Sequence, residues 1–173
     1  MKTPKRVLIL RHGEKPGHPS VDAESDGRSL STRGFARASA LAPYFPDAFG
    51  TPQHLFATRA SKHSNRPVET ITPLATALGL EINDKHPDDD YERLAEHILG
   101  HPKYAGEVVL VCWHHGKISE LTACLGGEPP QDRWPDAVFD RVWVIDYPDA
   151  TEAESRLPVT NLPQKLLFGD ASE

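Results

Sequence analysis

Cysteine and long apolar runs are scarce in this chain of 173 residues. Its two cysteines are Cys112, in an apolar stretch, and Cys124, in a helical pattern, so they form no disulfide framework. No segment approaches the roughly 20 apolar residues that a membrane-spanning helix needs. The basic start, MKTPKRVLIL, has an apolar run too short for the core of a signal peptide. These absences predict a cytoplasmic protein.

An excess of positive charge is also missing, since the formal net charge is −6. Bulk electrostatics of this sign disfavour nucleic acid and anionic membranes as partners. An anionic substrate must therefore be attracted by a local basic pocket. With 38% hydrophobic and 25% charged residues, the composition suits a soluble globular protein, and the length predicts a single domain over residues 1–173.

The order of apolar and amphipathic segments predicts an α/β fold. Val7–Leu10 and Val108–Trp113 are nearly continuous apolar runs, which is typical of buried parallel strands. Further strands are predicted at QHLFAT, LEIN, RVWVIDY and QKLLFGD. Helices are predicted at LSTRGFARASALA, SNRPVETITPLATALGL, Tyr91–Leu99 and ISELTACLG. We expect a three-layer sandwich whose central sheet is mainly parallel, with helices on both faces.

Local signals place the ends of two helices. Ser31 is the expected N-cap of the first helix. The apolar face of this helix is predicted to comprise Phe35, Ala38, Leu41 and Ala42. Pro67 suits the first turn of the next helix, and Pro73 is expected to kink or break it.

Charged and imidazole side chains follow the two most apolar strands. Arg11-His12-Gly13-Glu14 follows the first strand, and His114-His115-Gly116 follows Val108–Trp113. In open α/β sheets, ligands bind outside the carboxyl ends of the strands. A neutral imidazole can attack phosphorus, and guanidinium groups bind phosphate oxygens. The residues at this rim therefore indicate phosphoryl chemistry.

Four segments in order resemble the histidine phosphatase superfamily, the phosphoglycerate-mutase-like group with an R-H-G signature. The segments are VLILRHGE, LSTRGFARASALA, ATRASKHSNRPVET and VVLVCWHHGKI. The resemblance covers most of the chain. It implies that His12 is the phosphorylated nucleophile, that Arg11 and Arg66 bind phosphate, and that His114 is the second pocket histidine. It also implies a metal-independent phosphatase without a cofactor, acting on a phosphorylated small molecule or a phosphoprotein.

Several assignments stay open at this point. Arg59 could replace or join Arg66, and His115 is interpreted as a supporting loop residue. Glu14 has two open interpretations. It could orient the pocket or a loop, or it could be a solvated turn residue. The general acid is one of Asp84, Asp88, Asp89, Asp90 and Glu92, or there is none. Specificity is expected in the loops around the pocket, including residues 15–29. A homodimer is also left open.

Alternative functions remain within and beyond the superfamily. The alternatives within the fold are a phosphohistidine or phosphoprotein phosphatase, a phosphoglycerate-type mutase, and a non-catalytic phospho-ligand-binding protein. Hydrolysis is favoured over mutase activity because the chain lacks long insertions that would exclude water. A zinc hydrolase is disfavoured because there is no H-E-x-x-H or H-x-H motif, and a P-loop is disfavoured because HHGKI lacks the upstream glycine.

Overall fold

The computed structural model describes residues 3–17, 27–148 and 156–172. Residues 18–26, in the loop that is predicted to influence specificity, lie outside these ranges. The regular elements in chain order are β1 (Arg6–Arg11), α1 (Thr32–Phe49), β2 (His54–Ala57), α2 (Arg66–Leu78), β3 (Ile82–Asn83), α3 (Tyr91–Gly100), β4 (Val108–Trp113), α4 (Ile118–Cys124), β5 (Gly127–Glu128), β6 (Arg141–Asp146) and β7 (Leu157–Pro163). Short 3-10 turns lie at Asp88–Asp90 and Pro102–Tyr104.

Seven strands form one sheet in the order β3-β2-β4-β1-β6-β7-β5. Strands β3, β2, β4 and β1 run parallel to one another, β5 is parallel to β7, and β6 is antiparallel to both of its neighbours. The predicted α/β fold with a mainly parallel sheet is therefore confirmed. Its parallel half carries the two strands that precede the candidate site residues.

Helices cover both faces of the sheet because side chains alternate along the central strands. Val7 and Ile9 of β1 pack in one core with residues of α3 and α4. Leu8 and Leu10 pack in a second core with residues of α1 and α2. In the described ranges, no helix is both long and apolar enough to cross a membrane.

The first helix begins as predicted, and two of the four residues predicted for its apolar face, Ala38 and Leu41, are buried. The Ser31 hydroxyl accepts a hydrogen bond from the Gly34 N–H at 3.0 Å, as an N-cap does. The placement of Phe35 on the buried face is wrong, since its side chain is 46% exposed. Gly34 and Arg37 occupy the buried side instead. The reason is a polar contact between Arg37 and Glu14, which apolar periodicity cannot reveal.

Pro73 does not break its helix, and QKLLFGD does not form a strand. No break occurs at Pro73, and α2 continues through it to Leu78. QKLLFGD is not a strand, because the Asp170 carboxylate accepts hydrogen bonds from the N–H groups of Leu166 and Leu167 at 2.9 and 3.0 Å. These contacts fold the segment into a turn.

Candidate active site

The two strand-end histidines meet at the carboxyl ends of β1 and β4. These strands pair in register up to Arg11 and Trp113, and the His12 N–H donates to the Trp113 carbonyl at 3.2 Å. The rings of His12 and His114 pack edge to face, with centroids 5.0 Å apart. The parallel pairing thus brings together two side chains that are far apart in the sequence.

The imidazole of His12 is buried and held by its own backbone. Its Nδ1 lies 2.7 Å from the Gly13 carbonyl oxygen. A carbonyl only accepts, so we infer that Nδ1 carries the ring proton and that Nε2 has the free lone pair. Burial lowers the pKa of His12 well below its ordinary value, and the charges of His114 and Arg11 lower it further, against the Gly13 hydrogen bond. The ring is therefore neutral at neutral pH.

Arg11 is completely buried, yet its guanidinium is only partly used. Its Nη1 donates to the carbonyls of Pro135, Asp136 and Val138 at 3.2, 2.7 and 2.9 Å. The guanidinium carbon lies 3.8 Å from the centroid of the Phe139 ring. Nε and Nη2 are buried and have no hydrogen-bond partner in the described parts of the chain. Burial lowers the pKa of Arg11 to about 10, so the group stays charged and can bind an anion.

Arg66 begins α2 and lies within electrostatic reach of the same site. Its Nη1 donates to the carbonyls of Gly27 and Arg28 at 2.8 and 3.3 Å. Its positive charge contributes to lowering the pKa values of His12 and His114. The helix N-terminus adds a further attraction for anions at this position. Arg59, by contrast, is exposed just after β2.

His114 is neutral in the empty site. Burial lowers its pKa to about 4, helped by the positive charges of Arg66 and Arg11 and by His115. A bound phosphate dianion would act in the opposite direction, since a nearby negative charge favours the imidazolium. The second pocket histidine can therefore become a hydrogen-bond donor when an anion is present.

His115 supports the loop that also holds Arg11. Its Nε2 lies 2.8 Å from a carboxylate oxygen of Asp136, whose backbone carbonyl accepts from Arg11. This contact joins the segment after β4 to the loop that contains Asp136. This position agrees with the interpretation of His115 as a supporting residue.

The candidate acids differ mainly in burial. Glu92, Asp84 and Asp89 are exposed. Asp90 is held by His86 at 3.2 Å. Asp88 is half-buried, and burial, followed by the charge of Asp89, raises its pKa to about 6.

Asp88 also lies against the strand that carries the second histidine. Its backbone carbonyl accepts from the indole N–H of Trp113 at 3.3 Å. Trp113 directly precedes His114. Asp88 is thus the carboxylate whose environment best suits an acid near neutral pH.

Glu14 is not in a solvated turn. Its side chain is 2% exposed and is bound by Arg33 and Arg37. Sequence reasoning missed Arg37, and it missed Thr70, whose hydroxyl accepts from the Gly13 N–H at 2.8 Å. Its position in RPVET could have indicated Thr70, because it lies four residues after Arg66, one helical turn along the same face. In the described ranges, no group of three histidine, cysteine or acidic residues could hold a metal ion.

Comparisons with known proteins find matches among solved structures. No protein-family model matches this sequence, and no curated protein does so. The crystal structure of the putative phosphohistidine phosphatase SixA from Agrobacterium tumefaciens is similar, with a TM-score of 0.57 and 20% identity, over 92% of this chain and 98% of that one. Phosphoserine phosphatase from Entamoeba histolytica, solved with 3-phosphoglyceric acid, has a TM-score of 0.59 at 12% identity, over 94% and 99% of the two chains.

A third structure is a mycobacterial glucosyl-3-phosphoglycerate phosphatase in complex with inorganic phosphate. Its TM-score is 0.54 at 13% identity, and the match covers 91% of this chain and 95% of that one. At these identities the likeness establishes the architecture. The chain has the phosphoglycerate-mutase-like fold of the histidine phosphatases, as the resemblance of its sequence predicts.

Proposed function

We propose that this protein is a metal-independent phosphatase that hydrolyses a phosphomonoester through a phosphohistidine on His12. One observation carries the proposal. The Nδ1 of His12 is bound to the Gly13 carbonyl at 2.7 Å, which leaves Nε2 as a nucleophile beside the buried cation of Arg11. A neutral, pre-oriented imidazole is what attack on phosphorus requires.

The reaction has two displacements. In the first, the lone pair of His12 Nε2 forms a bond to phosphorus while the ester P–O bond breaks, and the leaving oxygen takes a proton. In the second, water attacks phosphorus and returns a proton to the group that protonated the leaving oxygen, the P–N bond breaks, and its electron pair returns to Nε2. Inorganic phosphate is released, and the ring regains its starting tautomer.

Charge in the pocket favours the transition state. Arg11 and Arg66 are the cations, and both histidines are neutral when the site is empty. The unused donors on Nε and Nη2 of Arg11 are available to phosphoryl oxygens. The dianion raises the pKa of His114, which then donates a hydrogen bond to the transferred group.

Asp88 is the carboxylate we propose for protonating the leaving group. Its pKa near 6 leaves part of the population protonated around neutral pH. Replacement by asparagine should slow hydrolysis of alkyl phosphates, whose leaving groups need a proton. It should leave p-nitrophenyl phosphate hydrolysis nearly unchanged, since nitrophenolate leaves without one. Equal effects on both substrates would exclude this role.

Phosphohistidine on a protein is the second candidate substrate. The observation in its favour is the match with SixA, which covers 98% of that chain, so this protein has a similarly compact size. High activity on a phosphohistidine protein together with low activity on small esters would support this candidate.

Hydrolysis of p-nitrophenyl phosphate in chelator, across pH, tests the proposed function. We expect turnover by the native protein, loss of turnover in His12→Ala, and normal turnover in His101→Ala, which removes an exposed histidine. Turnover that survives in His12→Ala, or that needs a divalent metal, would exclude the mechanism. Phosphate binding without turnover by the native protein would indicate a non-catalytic binder.

A further inference from the structure

A buried ion cluster lies two residues beyond His12, and we call it the Arg37 cluster. It consists of Arg37, Glu14, Asp170, Gln164 and Arg33. Arg37 donates from Nε and Nη2 to the Glu14 carboxylate at 3.0 and 2.7 Å, and from Nη2 and Nη1 to the Asp170 carboxylate at 2.7 and 2.9 Å. Its Nη1 also donates to the Gln164 side-chain oxygen at 3.0 Å. Arg33 adds a second cation, 3.1 Å from Glu14 and 3.4 Å from Asp170.

The cluster is charge-balanced and ionised. Burial by itself would raise the pKa of Glu14, but the hydrogen bonds and charge of Arg37, with the charge of Arg33, lower it overall. Asp170 follows the same pattern, with burial opposed by Arg37 and by backbone donors. Two cations therefore face two carboxylates at neutral pH, and every nitrogen of Arg37 is used. Such a network is suited to holding backbone in one place.

The backbone that this cluster holds includes the partner of His12. The Gly13 carbonyl, which binds His12 Nδ1, belongs to the same planar peptide unit as the N–H of Glu14. A rotation of this peptide plane would turn the Gly13 carbonyl away from the ring. Holding Glu14 in place therefore limits that rotation. The far side of Glu14 is fixed as well, because its own carbonyl accepts from the Ser31 N–H at 2.9 Å.

Helix α1 leaves little free space around this peptide. A Cβ atom at Gly34 would lie 2.5 Å from the Glu14 carbonyl oxygen, and one at Gly13 would lie 3.1 Å from the Gly34 carbonyl oxygen. Arg37 stands one turn further along α1 and reaches the same Glu14. The first two turns of α1 thus contact both the backbone and the side chain of the residue after Gly13.

The C-terminal turn supplies the second carboxylate. Asp170 is fixed by the Leu166 and Leu167 N–H groups at 2.9 and 3.0 Å. The Ala171 N–H donates to Asp140 at 2.6 Å, which ties the turn to the residue before β6. A segment distant in sequence from the nucleophile therefore completes the clamp on Glu14.

We propose that Arg37 and Asp170 are positioning residues for His12. By holding Glu14 in place, they keep the Gly13 carbonyl hydrogen-bonded to Nδ1 of His12. The ring proton therefore stays on Nδ1, and Nε2 stays unprotonated. The proposal rests on the proposed role of His12 as the nucleophile. If the clamp is loosened, the ring proton can move to Nε2, where it blocks attack on phosphorus.

Asp170→Asn tests this directly, because it keeps the shape of the side chain and removes its charge. Asp146→Asn is the control, since it makes the same change in the Arg6–Asp146 pair at the opposite end of β1, where the atoms are 2.6 Å apart. We expect Asp170→Asn to lower kcat by about 10- to 100-fold through misalignment of the nucleophile. KM should stay within about twofold, because phosphate contacts are intact. The control should match the native protein.

The ¹⁵N chemical shifts of the His12 ring give a readout that is independent of turnover. We expect a single Nδ1–H tautomer in the native protein and a mixture in Asp170→Asn. Arg33→Gln, at a partly exposed position, should shift both readouts less and in the same direction, and it serves if Asp170→Asn does not fold. An unchanged tautomer and kcat in a folded variant would overturn the proposal. Because the tautomer is measured without substrate, this result stays distinct from a failure of His12 as nucleophile.

Discussion

Two arginines are almost completely buried in this protein, and they use their guanidinium groups in opposite ways. Arg11 is 0% exposed and binds three carbonyls through one nitrogen, and its other two nitrogens are unpartnered in the described chain. Arg37 is 1% exposed and uses every nitrogen on Glu14, Asp170 and Gln164. Burial lowers the pKa of Arg11 to about 10, whereas Asp170 and Glu14 outweigh burial and raise that of Arg37 above its ordinary value.

The difference separates a binding group from a supporting group. Leaving a buried charge without its partners costs several kcal/mol, so a fold that keeps Arg11 partly unsatisfied has to offset that cost elsewhere. We propose that the unused donors of Arg11 gain their partners when an anion binds. Arg37 has no such capacity left, and its removal should affect stability before it affects phosphate binding.

Replacement of Arg11 by methionine should have the largest effect on activity. We expect kcat/KM to fall by about a thousandfold, because donors aimed at the transferred phosphoryl group are lost. Inorganic phosphate at about a hundred times its Kd should stabilise the native protein by about 2.7 kcal/mol and should not stabilise Arg11→Met. Thermal unfolding with and without phosphate measures this. The control Arg33→Gln should still be stabilised by phosphate. A fall in kcat/KM of less than about tenfold in Arg11→Met would contradict the assignment of Arg11 as the binding group.

Replacement of Arg37 by methionine should lower stability, and kcat through the loss of His12 positioning, rather than weaken phosphate binding. We expect the free energy of unfolding to fall by about 3–5 kcal/mol, since Glu14 and Asp170 lose their buried partner. Urea unfolding measures the change. Adding Glu14→Gln and Asp170→Asn to Arg37→Met should restore part of the loss, because no unpaired charge is left. A cost of less than about 1 kcal/mol for Arg37→Met would place this arginine among ordinary surface cations.

The two regions should also respond to acid in different pH windows, which is the smallest expected effect. The pKa of His114 is lowered from 6.5 to about 4 in the folded protein. Between these values the unfolded chain binds more protons, so stability falls as pH falls through this window, by on the order of 2 kcal/mol. The pKa values of Glu14 and Asp170 are lowered too, so their contribution is lost only at lower pH.

Urea unfolding from about pH 7 to about pH 3 separates the two windows. His114→Asn should reduce the loss in the upper window, to which the lowered pKa of His12 also contributes, and Asp170→Asn should remove part of the loss in the lower one. Phosphate should reduce the upper loss, because it favours the imidazolium of His114. A single transition that is unaffected by His114→Asn would contradict the assignment.

Continuous apolar strands made the meeting of His12 and His114 predictable. Val108–Trp113 and the run before Arg11 are typical of buried parallel strands, whose carboxyl ends lie at one rim of the sheet, as they do here. The Ser31 cap was equally visible, because its signal is local. These features depend on neighbouring residues, and local chemistry is what a single sequence displays.

The Arg37 cluster could not be predicted in the same way. Its partners come from the first strand end, from α1 and from the C-terminal turn, and no spacing rule joins them. The apolar residues of QKLLFGD favour a strand. In the fold, however, the Asp170 carboxylate accepts hydrogen bonds from the N–H groups of Leu166 and Leu167. A contact made only in the folded state decides that segment.

Burial likewise decides between candidates that look equal in sequence. Asp88 and Glu92 lie four residues apart, and both are plausible acids by position. The fold half-buries Asp88 against Trp113 and exposes Glu92, and burial raises the pKa of Asp88. In the same way, the charge of Arg66 at the start of α2 lowers the pKa values of His12 and His114, while Arg59 is exposed.

In the proposed mechanism, His12 Nε2 accepts the phosphoryl group. Single-turnover reaction with a phosphorylated substrate, quenched in alkali and mapped by tandem mass spectrometry, tests it most directly. We predict an alkali-stable, acid-labile phosphoryl group on the peptide that contains His12, which forms and decays at rates that account for turnover. A phosphoryl group on another residue, or full turnover with no phosphorylated His12 peptide at any time, would contradict the account.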